Sequence, residues 1–346
     1  MIKQRRKPVL VDGVRKVVDS PVFSVRYGRA IGLIKLMRLF YFFPLFAATF
    51  SVCAETSGNW HYELIEGGAI MTEYTGKEEI VKIPGEINGK AVLAIGKSVF
   101  GYGERGGGNT SITSVTIPHG VIRIENYAFI MCSGITNASI PDSVTSIENN
   151  AFNGCFGITK IKIPNSVTNI GNSAFQGCIN LTNINIPINL AIINNSTFAA
   201  CNSLTNISIP QNITHIKQSA FAMSEKLRNV AISDCVKEIS DSAFYGCVGL
   251  TNIIVNSRIR GILSHTYYGC TGLTKITIPE NIKHIGTSAF EGCTNLSFID
   301  LPQNIKSIYP DAFKNCPKLS IETLKKIEEI RSKNPIESGY NPQQNP

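Results

Sequence analysis

Apolar residues recur along this chain with a period of 23. The aromatic anchors Phe129, Phe152, Phe175, Phe198, Phe221, Phe244, Tyr267, Phe290 and Phe313 are evenly spaced, and Phe100 opens the series 29 residues before Phe129. The extra residues in that first interval fit the loop GYGERGGGN, residues 101–109. Aligned on the anchors, the unit reads A-F-x-G-C-x-x-L-T-x-I-x-I-P-x-x-V-x-x-I-x-x-S, and AFQGCINLTNINIP, residues 174–187, is a clear copy. L-x-x-I-x-I predicts a strand, because its last two apolar residues alternate with a polar one and share a face. Pro118, Pro141, Pro164, Pro187, Pro210, Pro279 and Pro302 close that strand, since proline cannot extend a central ladder. A second apolar pair, Val144/Ile147 or Val167/Ile170, has the spacing of a turn returning along the other side of a coil. Ala-Phe then turns inward and Gly-Cys completes the corner.

One such unit cannot bury enough apolar surface to fold alone, so units must stack and share a core. Each strand then pairs with its counterpart in the next coil at roughly 4.8 Å, and ten anchors give a stack roughly 50 Å long. The expected fold is a repeat solenoid with one parallel β-sheet and short turns or helical segments on the opposite side. Its ends need covers. Residues 60–95 suggest strands with turns at Glu66-Gly67-Gly68 and Asn88-Gly89, an N-terminal β cap. Ile321, Leu324, Ile327 and Ile330 recur at helical spacing after Ser320, a suitable N-cap. The organisation expected is a signal region at 1–54, a cap at 55–95 and the array at 96–319 with its insertion at 101–109. A capping helix follows at 320–332, then a disordered tail at 333–346.

The unit L-T-x-I-x-I-P-x-x-V-x-x-I-x-x-x-A-F-x-G-C resembles the 23-residue leucine-rich repeat of BspA-like surface proteins, over about residues 80–319. The leader WHYELIEGGAIMTEYTG, residues 60–76, resembles the segment that often precedes such repeats. The resemblance implies a leucine-rich-repeat solenoid and a secreted or cell-surface protein engaged in adhesion or in binding host and matrix proteins. Two units depart from the pattern: Ser233 and Asn256 replace the proline, and Tyr267 replaces the phenylalanine. Those units are expected to bend the stack locally.

Composition narrows the picture. With 43% hydrophobic and 17% charged residues the chain is too apolar for intrinsic disorder. The net charge of +8 invites a nucleic-acid reading, but residues 1–54 hold ten basic residues and two acids, leaving 23 of each sign in residues 55–346. A neutral body has no electrostatic footprint for a phosphate backbone. The uncharged run LFYFFPLFAATFS, residues 39–51, follows Arg38; it is shorter than the roughly 20 residues of a membrane span. Val52-Cys53-Ala54 suits signal-peptidase cleavage after Ala54. Met37 would open a signal peptide of ordinary proportions, making residues 1–36 an over-long start. An uncleaved signal region would be the one route to a membrane. Cys53 raises lipid attachment, which the bulky Val52 before it opposes.

Candidate chemistry is sparse. Cys132, Cys155, Cys178, Cys201, Cys247, Cys270, Cys293 and Cys316 each follow an anchor by three residues. Stacked thiols would lie near the Cα range of a disulfide, about 5 Å, but their side chains point the same way. Ser224 holds this position in one unit and Gly103 in another, which a required metal ligand would not tolerate. Inert buried thiols are expected. Gly101-Tyr-Gly103-Glu-Arg-Gly106 matches G-x-G-x-x-G without the strand and helix that a nucleotide site needs. His61, His119, His215, His265 and His284 lack zinc-ligand spacing and are expected to be solvated.

The exposed sheet face is the remaining candidate. Its polar positions are Ser114/Thr116, Asn137/Ser139, Lys160/Lys162, Asn183/Asn185, Asn206/Ser208, Asn229/Ala231, Asn252/Ile254, Lys275/Thr277 and Phe298/Asp300. Asp300 is the one carboxylate, so the paired acids of glycoside hydrolysis are missing from it. No Ser-His-Asp constellation falls on adjacent coils. Lys160, Lys162, Ile254 and Phe298 are the first places to look for a ligand, since aromatic anchors make hot spots and isolated amides seldom do. The expectation is a monomeric, non-catalytic binding protein without metal or cofactor, whose ligand is a protein or a glycan. Two alternatives stand beside it: a carbohydrate-active enzyme on a parallel coil, and a scaffold whose sheet face binds nothing. An ice-binding face would need a regular threonine array, and only Thr116 and Thr277 occupy the relevant column.

Overall fold

The coils of the array are hydrogen-bonded to one another along three sides, continuously at the corner and with interruptions in the two ladders. In this computed structural model residues 54–101 and 107–333 are described. The signal region, the lipid reading of Cys53, the G-x-G-x-x-G string beyond Gly101 and the tail at 334–346 lie outside them. The first side is the predicted strand. β4 (Ile80–Lys82) pairs in parallel with Ser114–Thr116, which pairs with Asn137–Ser139, and the same relation recurs between Lys160–Ile161 and Asn183–Ile184, from Asn206–Ser208 to Asn252–Ile253, and between Lys275–Thr277 and Phe298–Asp300, with breaks between these groups. The register shifts by one repeat per step, so Asn206, Ile207 and Ser208 face Asn229, Val230 and Ala231.

The second side adds a feature to the expected architecture. The parallel sheet is joined by a second parallel ladder, made of two-residue strands such as Ser146–Ile147 and Asn169–Ile170. Thr168 N–H donates to Thr145 O at 2.9 Å and Gly171 N–H to Ile147 O at 2.8 Å, so the stretch V-x-x-I is pinned at both ends of its extended part. A strand of two residues shows no alternation, which is why the spacing of three reads as a turn. The third side is the corner A-F-x-G-C. Here Ser173, Phe175 and Gly177 donate to Asn195, Thr197 and Ala199 of the next coil at 2.8–3.0 Å. Ser173 and Gly177 lie in the left-handed region, with φ of 55° and 72°, and Phe175 between them does not.

The anchors form one continuous column. Adjacent rings from Phe100 to Phe313 stack with centroids 4.9–5.8 Å apart and planes within 18°, an offset-stacked geometry favoured by the ring quadrupoles. Tyr267 keeps its place, 5.8 Å from Phe244 with planes 7° apart. At the top Trp60 and Tyr74 pack on Phe100 with centroids 6.0 and 5.4 Å away. They come from an antiparallel meander of β1 (Glu55–Ser57), β2 (Trp60–Ile65) and β3 (Gly68–Tyr74). The segment 55–95 is more than a cap, however. β4 starts the first ladder, and β6 (Lys90–Ile95), folded on β5 (Glu86–Ile87), pairs with Arg123–Ile124 in the second. At the bottom, helix α1 (Ile321–Lys333) buries Ile327. Ser320 caps it by accepting from Thr323 N–H at 3.1 Å. Arg331 and Lys326 donate to Tyr309 O at 2.9 Å and Leu301 O at 2.5 Å. Those carbonyls belong to the last coil, so the helix supplies donors where no further coil does.

Candidate functional site

The first ladder presents a broad face of outward side chains. Lys160, Lys162, Asn183, Asn185, Asn206, Ser208, Asn229, Asn252, Ile254, Lys275, Phe298 and Asp300 all lie on it and all are exposed. They do not act as one set. Asn185 turns back to the backbone, accepting from Ile163 N–H at 3.1 Å and donating to Ile163 O at 2.7 Å. Asn229 donates to Asn206 Oδ1 at 2.8 Å. These amides knit coils together and are partly spent.

Two hollows mark where the ladder is interrupted. One, of about 360 Å³, holds Lys160 and Lys162 beside Asn137, Ser139 and Asp142. The other, of about 380 Å³, holds Asn252, Ile254, Lys275 and Thr277. Next to the second, Phe298 pairs across the ladder with Lys275. Ile254 and Phe298 are 70% and 57% exposed and stand on this face as large apolar side chains.

The corner cysteines have a uniform environment. Each thiol donates to the carbonyl of the anchor one coil earlier: Cys155 to Phe129 O, Cys178 to Phe152 O, Cys247 to Phe221 O and Cys316 to Phe290 O, at 3.0–3.3 Å. Ser224 makes the same bond to Phe198 O at 3.0 Å. Burial pushes the thiols of Cys132, Cys178 and Cys247 up to about 12, so they are protonated donors at neutral pH. Cys201, Cys270 and Cys293 are buried in the same way. All nine described cysteines are free. Among the described residues no group of three His, Cys, Asp or Glu side chains is placed to hold a metal.

His119 is exposed as expected of the histidines, whereas two others are more enclosed. His215 and His284 are half-buried in the second ladder. His284 Nδ1 lies 2.7 Å from Ser307 Oγ, and burial together with the Lys306 charge lowers its pKa. The packing of one coil on the next, invisible in sequence, encloses them.

The largest hollow among those described lies on that second ladder. The strand Glu238–Ile239 is not paired with Gly261–Ile262, although both continue on their other sides. The gap opens a groove of about 930 Å³. The ring column stays intact through the departures at Ser233, Asn256 and Tyr267, and the return ladder is open beside them, as it also is between Asn169–Ile170 and Ile192–Ile193. Asn256 is buried, and its Nδ2 donates to Ser233 O at 2.9 Å and Val236 O at 3.0 Å. At the far end Ser264 N–H donates to Asp241 Oδ1 at 2.8 Å. These bridges hold both ends of the groove. The signal for this region was present in the sequence as Lys237, Arg260, Lys283 and Lys306, spaced by 23.

The model for the BspA type leucine rich repeat region matches the chain in six copies, over residues 107–228 and 216–334. No curated protein matches it in sequence. Among solved structures, it is similar to a leucine rich cell surface protein from Faecalibacterium prausnitzii A2-165, at 24% identity over 73% of this chain and 96% of that one, TM-score 0.41. A leucine-rich repeat protein from Bacteroides ovatus ATCC 8483 is 23% identical over 77% and 93%, TM-score 0.43. The pneumococcal vaccine antigen PcpA is 15% identical over 82% and 96%, TM-score 0.47.

Proposed function

The chain belongs to the BspA-type leucine-rich repeat family, and from that premise we propose that it is a non-catalytic binding protein, secreted or held at the cell surface, that captures a protein partner on the face of its first ladder. The observation that carries this reading is the pair Ile254 and Phe298, 70% and 57% exposed on a face whose one carboxylate is Asp300. An aromatic and a branched aliphatic side chain beside Lys275 make the apolar centre and charged rim that binding hot spots share. The regular coils hold this face rigid, so binding pays little ordering cost. Export is supported by the apolar run at 39–51 and the small residues after it. No helix among the described residues is long and apolar enough to cross a membrane.

The test is capture of the protein on immobilised extracellular-matrix proteins, repeated with Ile254→Ser/Phe298→Ser and with Lys160→Ala/Lys162→Ala. Losing an aromatic hot spot costs about 2 kcal/mol, or about thirtyfold in Kd. The first double variant is expected to lose at least that, with its circular dichroism unchanged because both side chains are exposed. Capture by no matrix protein, or equal capture by both variants, would overturn the reading.

A further inference from the structure

The second ladder carries a row of cations that the protein-binding reading leaves unused. The position after the buried Val, Leu or Ile of each coil is Ile122, Thr145, Thr168, Ala191 and Thr214 in the first coils, then Lys237, Arg260, Lys283 and Lys306. The change from neutral to basic is abrupt and persists for four successive coils. Lys283 N–H donates to Arg260 O at 3.1 Å and Lys306 N–H to Lys283 O at 2.8 Å, so these residues stand in register, one per coil. At roughly 4.8 Å per paired step, Arg260 to Lys306 spans about 10 Å, and Lys237 stands beyond the open step. Lys237, Arg260 and Lys306 are exposed, as is Arg258 beside them.

Two acids, Glu238 and Asp241, line the groove with Lys237, Arg258 and Arg260, which leaves the cations in excess by one. Glu238 is turned to Lys217, 3.5 Å away, and accepts from Ser240 Oγ at 2.6 Å. Asp241 accepts from Ser264 N–H and keeps its charge. Asp234 and Glu280 sit at the corner, one residue after the proline position, outside the row.

The row crosses the groove. Lys237 lies on one bank, and Arg258 and Arg260 on the other. Gly261 leaves the floor without a side chain, and a Cβ there would meet nothing closer than His284 O at 3.6 Å. Because the two facing strands are unpaired, their edges offer main-chain donors and acceptors to whatever enters. Asn281 lines the same groove, and its buried Oδ1 has no hydrogen-bond partner, an acceptor that would ordinarily be satisfied.

We infer that this groove and its cation row bind a linear acidic polysaccharide. Cations repeated one per coil match a polymer with an anion on each sugar or disaccharide. The open strand edges and Asn281 Oδ1 suit hydroxyl groups, which both donate and accept. No aromatic side chain lines the groove, whereas single-stranded nucleic acids are held by stacking on such side chains.

The experiment is titration of the full chain with size-defined heparin oligosaccharides, hyaluronate oligosaccharides, neutral dextran and a DNA oligonucleotide, at several salt concentrations. Heparin separates a sulfated ligand from the carboxylate-only hyaluronate. One or both are expected to bind, and dextran is not. Lys237→Gln/Arg260→Gln is expected to weaken binding about tenfold or more and to lower the slope of log Kd against log salt by about two. Gly261→Thr, which fills the floor and keeps every charge, is expected to weaken it as well. Lys77→Gln/Lys97→Gln, two exposed lysines of the N-terminal segment, is the control and should bind as the native protein does. The inference fails if neither acidic oligosaccharide binds. It also fails if DNA binds as tightly as the better of them, or if the control loses as much as the groove variants. All substituted positions are exposed or half-buried, and far-ultraviolet circular dichroism verifies that each variant is folded.

Discussion

The thiol of Cys155 donates to the carbonyl oxygen of Phe129 in the preceding coil, at 3.1 Å. That oxygen already accepts from Cys132 N–H of its own coil at 3.2 Å. The corner therefore carries a side-chain bond that ties each coil to the last, parallel to the backbone ladders. Ser224 shows that the bond, and not the sulfur, is what the position needs. Cys155→Ser is expected to keep native stability within about 0.5 kcal/mol, and Cys155→Ala to lose about 1 kcal/mol. Denaturant midpoints at unchanged m-value measure both. Equal losses for Ser and Ala would mean that the thiol acts only by filling space.

The same burial makes stability fall in alkali. The thiols of Cys132, Cys178 and Cys247 ionise near 9 when unfolded and at about 12 when folded. Below pH 9 both states keep the proton and nothing is lost. Between pH 9 and 12 the unfolded chain releases protons that the folded chain retains, so unfolding gains about 1.4 kcal/mol per pH unit per thiol. Melting temperatures are expected to drop from pH 9 upward, and less steeply in Cys155→Ser/Cys178→Ser, since lysine and tyrosine titration is common to both proteins. Identical slopes for the two would place these thiols in contact with solvent.

Two corner positions per coil adopt left-handed backbone, and the residue before each cysteine shows what that costs. Gly177 has φ of 72°, and a Cβ there would meet nothing closer than 3.7 Å. Ala200 occupies the equivalent place with φ of 55°. A left-handed conformation costs a residue with a Cβ about 1–2 kcal/mol, so Gly177→Ala is expected to destabilise by that amount. Ala200→Gly should recover about 0.5–1 kcal/mol, the gain being reduced by the extra freedom of glycine in the unfolded chain. Chemical denaturation of the pair decides it: the signs must be opposite.

How much of this was legible in the sequence depends on whether the signal repeats. The period of 23 placed Phe152, Phe175 and Phe198 in one column, and L-x-x-I-x-I placed the outward residues of the first ladder. Both are statements about a single coil copied many times. The second ladder was missed because Asn169–Ile170 is too short to alternate. The half-buried state of His284 depends on Ser307 in the next coil, a contact between copies. The groove arises where copies differ. No pattern averaged over the units reveals that Glu238–Ile239 and Gly261–Ile262 fail to pair, although Asn256 in place of proline marked the spot. The split of the face into engaged amides, such as Asn185, and free side chains, such as Phe298, needed the coordinates.

Asn256 gives the sharpest test of whether this irregular coil is built or merely tolerated. Restoring the proline of the other coils looks like an improvement, since proline reduces the freedom of the unfolded chain. The structure predicts the opposite. Asn256 Nδ2 donates to Ser233 O and Val236 O, and its Oδ1 accepts from Arg258 N–H at 2.8 Å. In regular coils the carbonyl equivalent to Val236 O is met by the side chain two residues after the proline, as when Ser166 Oγ donates to Val144 O at 2.7 Å. Arg258 holds that position here, and Asn256 supplies the missing donor. Asn256→Pro is expected to cost about 2–3 kcal/mol, the penalty for leaving buried backbone groups unpaired. Ser233→Pro makes the same exchange one coil earlier, where it removes one bond, Ser233 Oγ to Pro210 O at 3.0 Å. It should cost about 1 kcal/mol or less. Unfolding curves for the two variants, read side by side, separate the cases. If Asn256→Pro proves as mild as Ser233→Pro, the amide bridges do not hold the end of the groove, and its opening is an accident of a degenerate repeat.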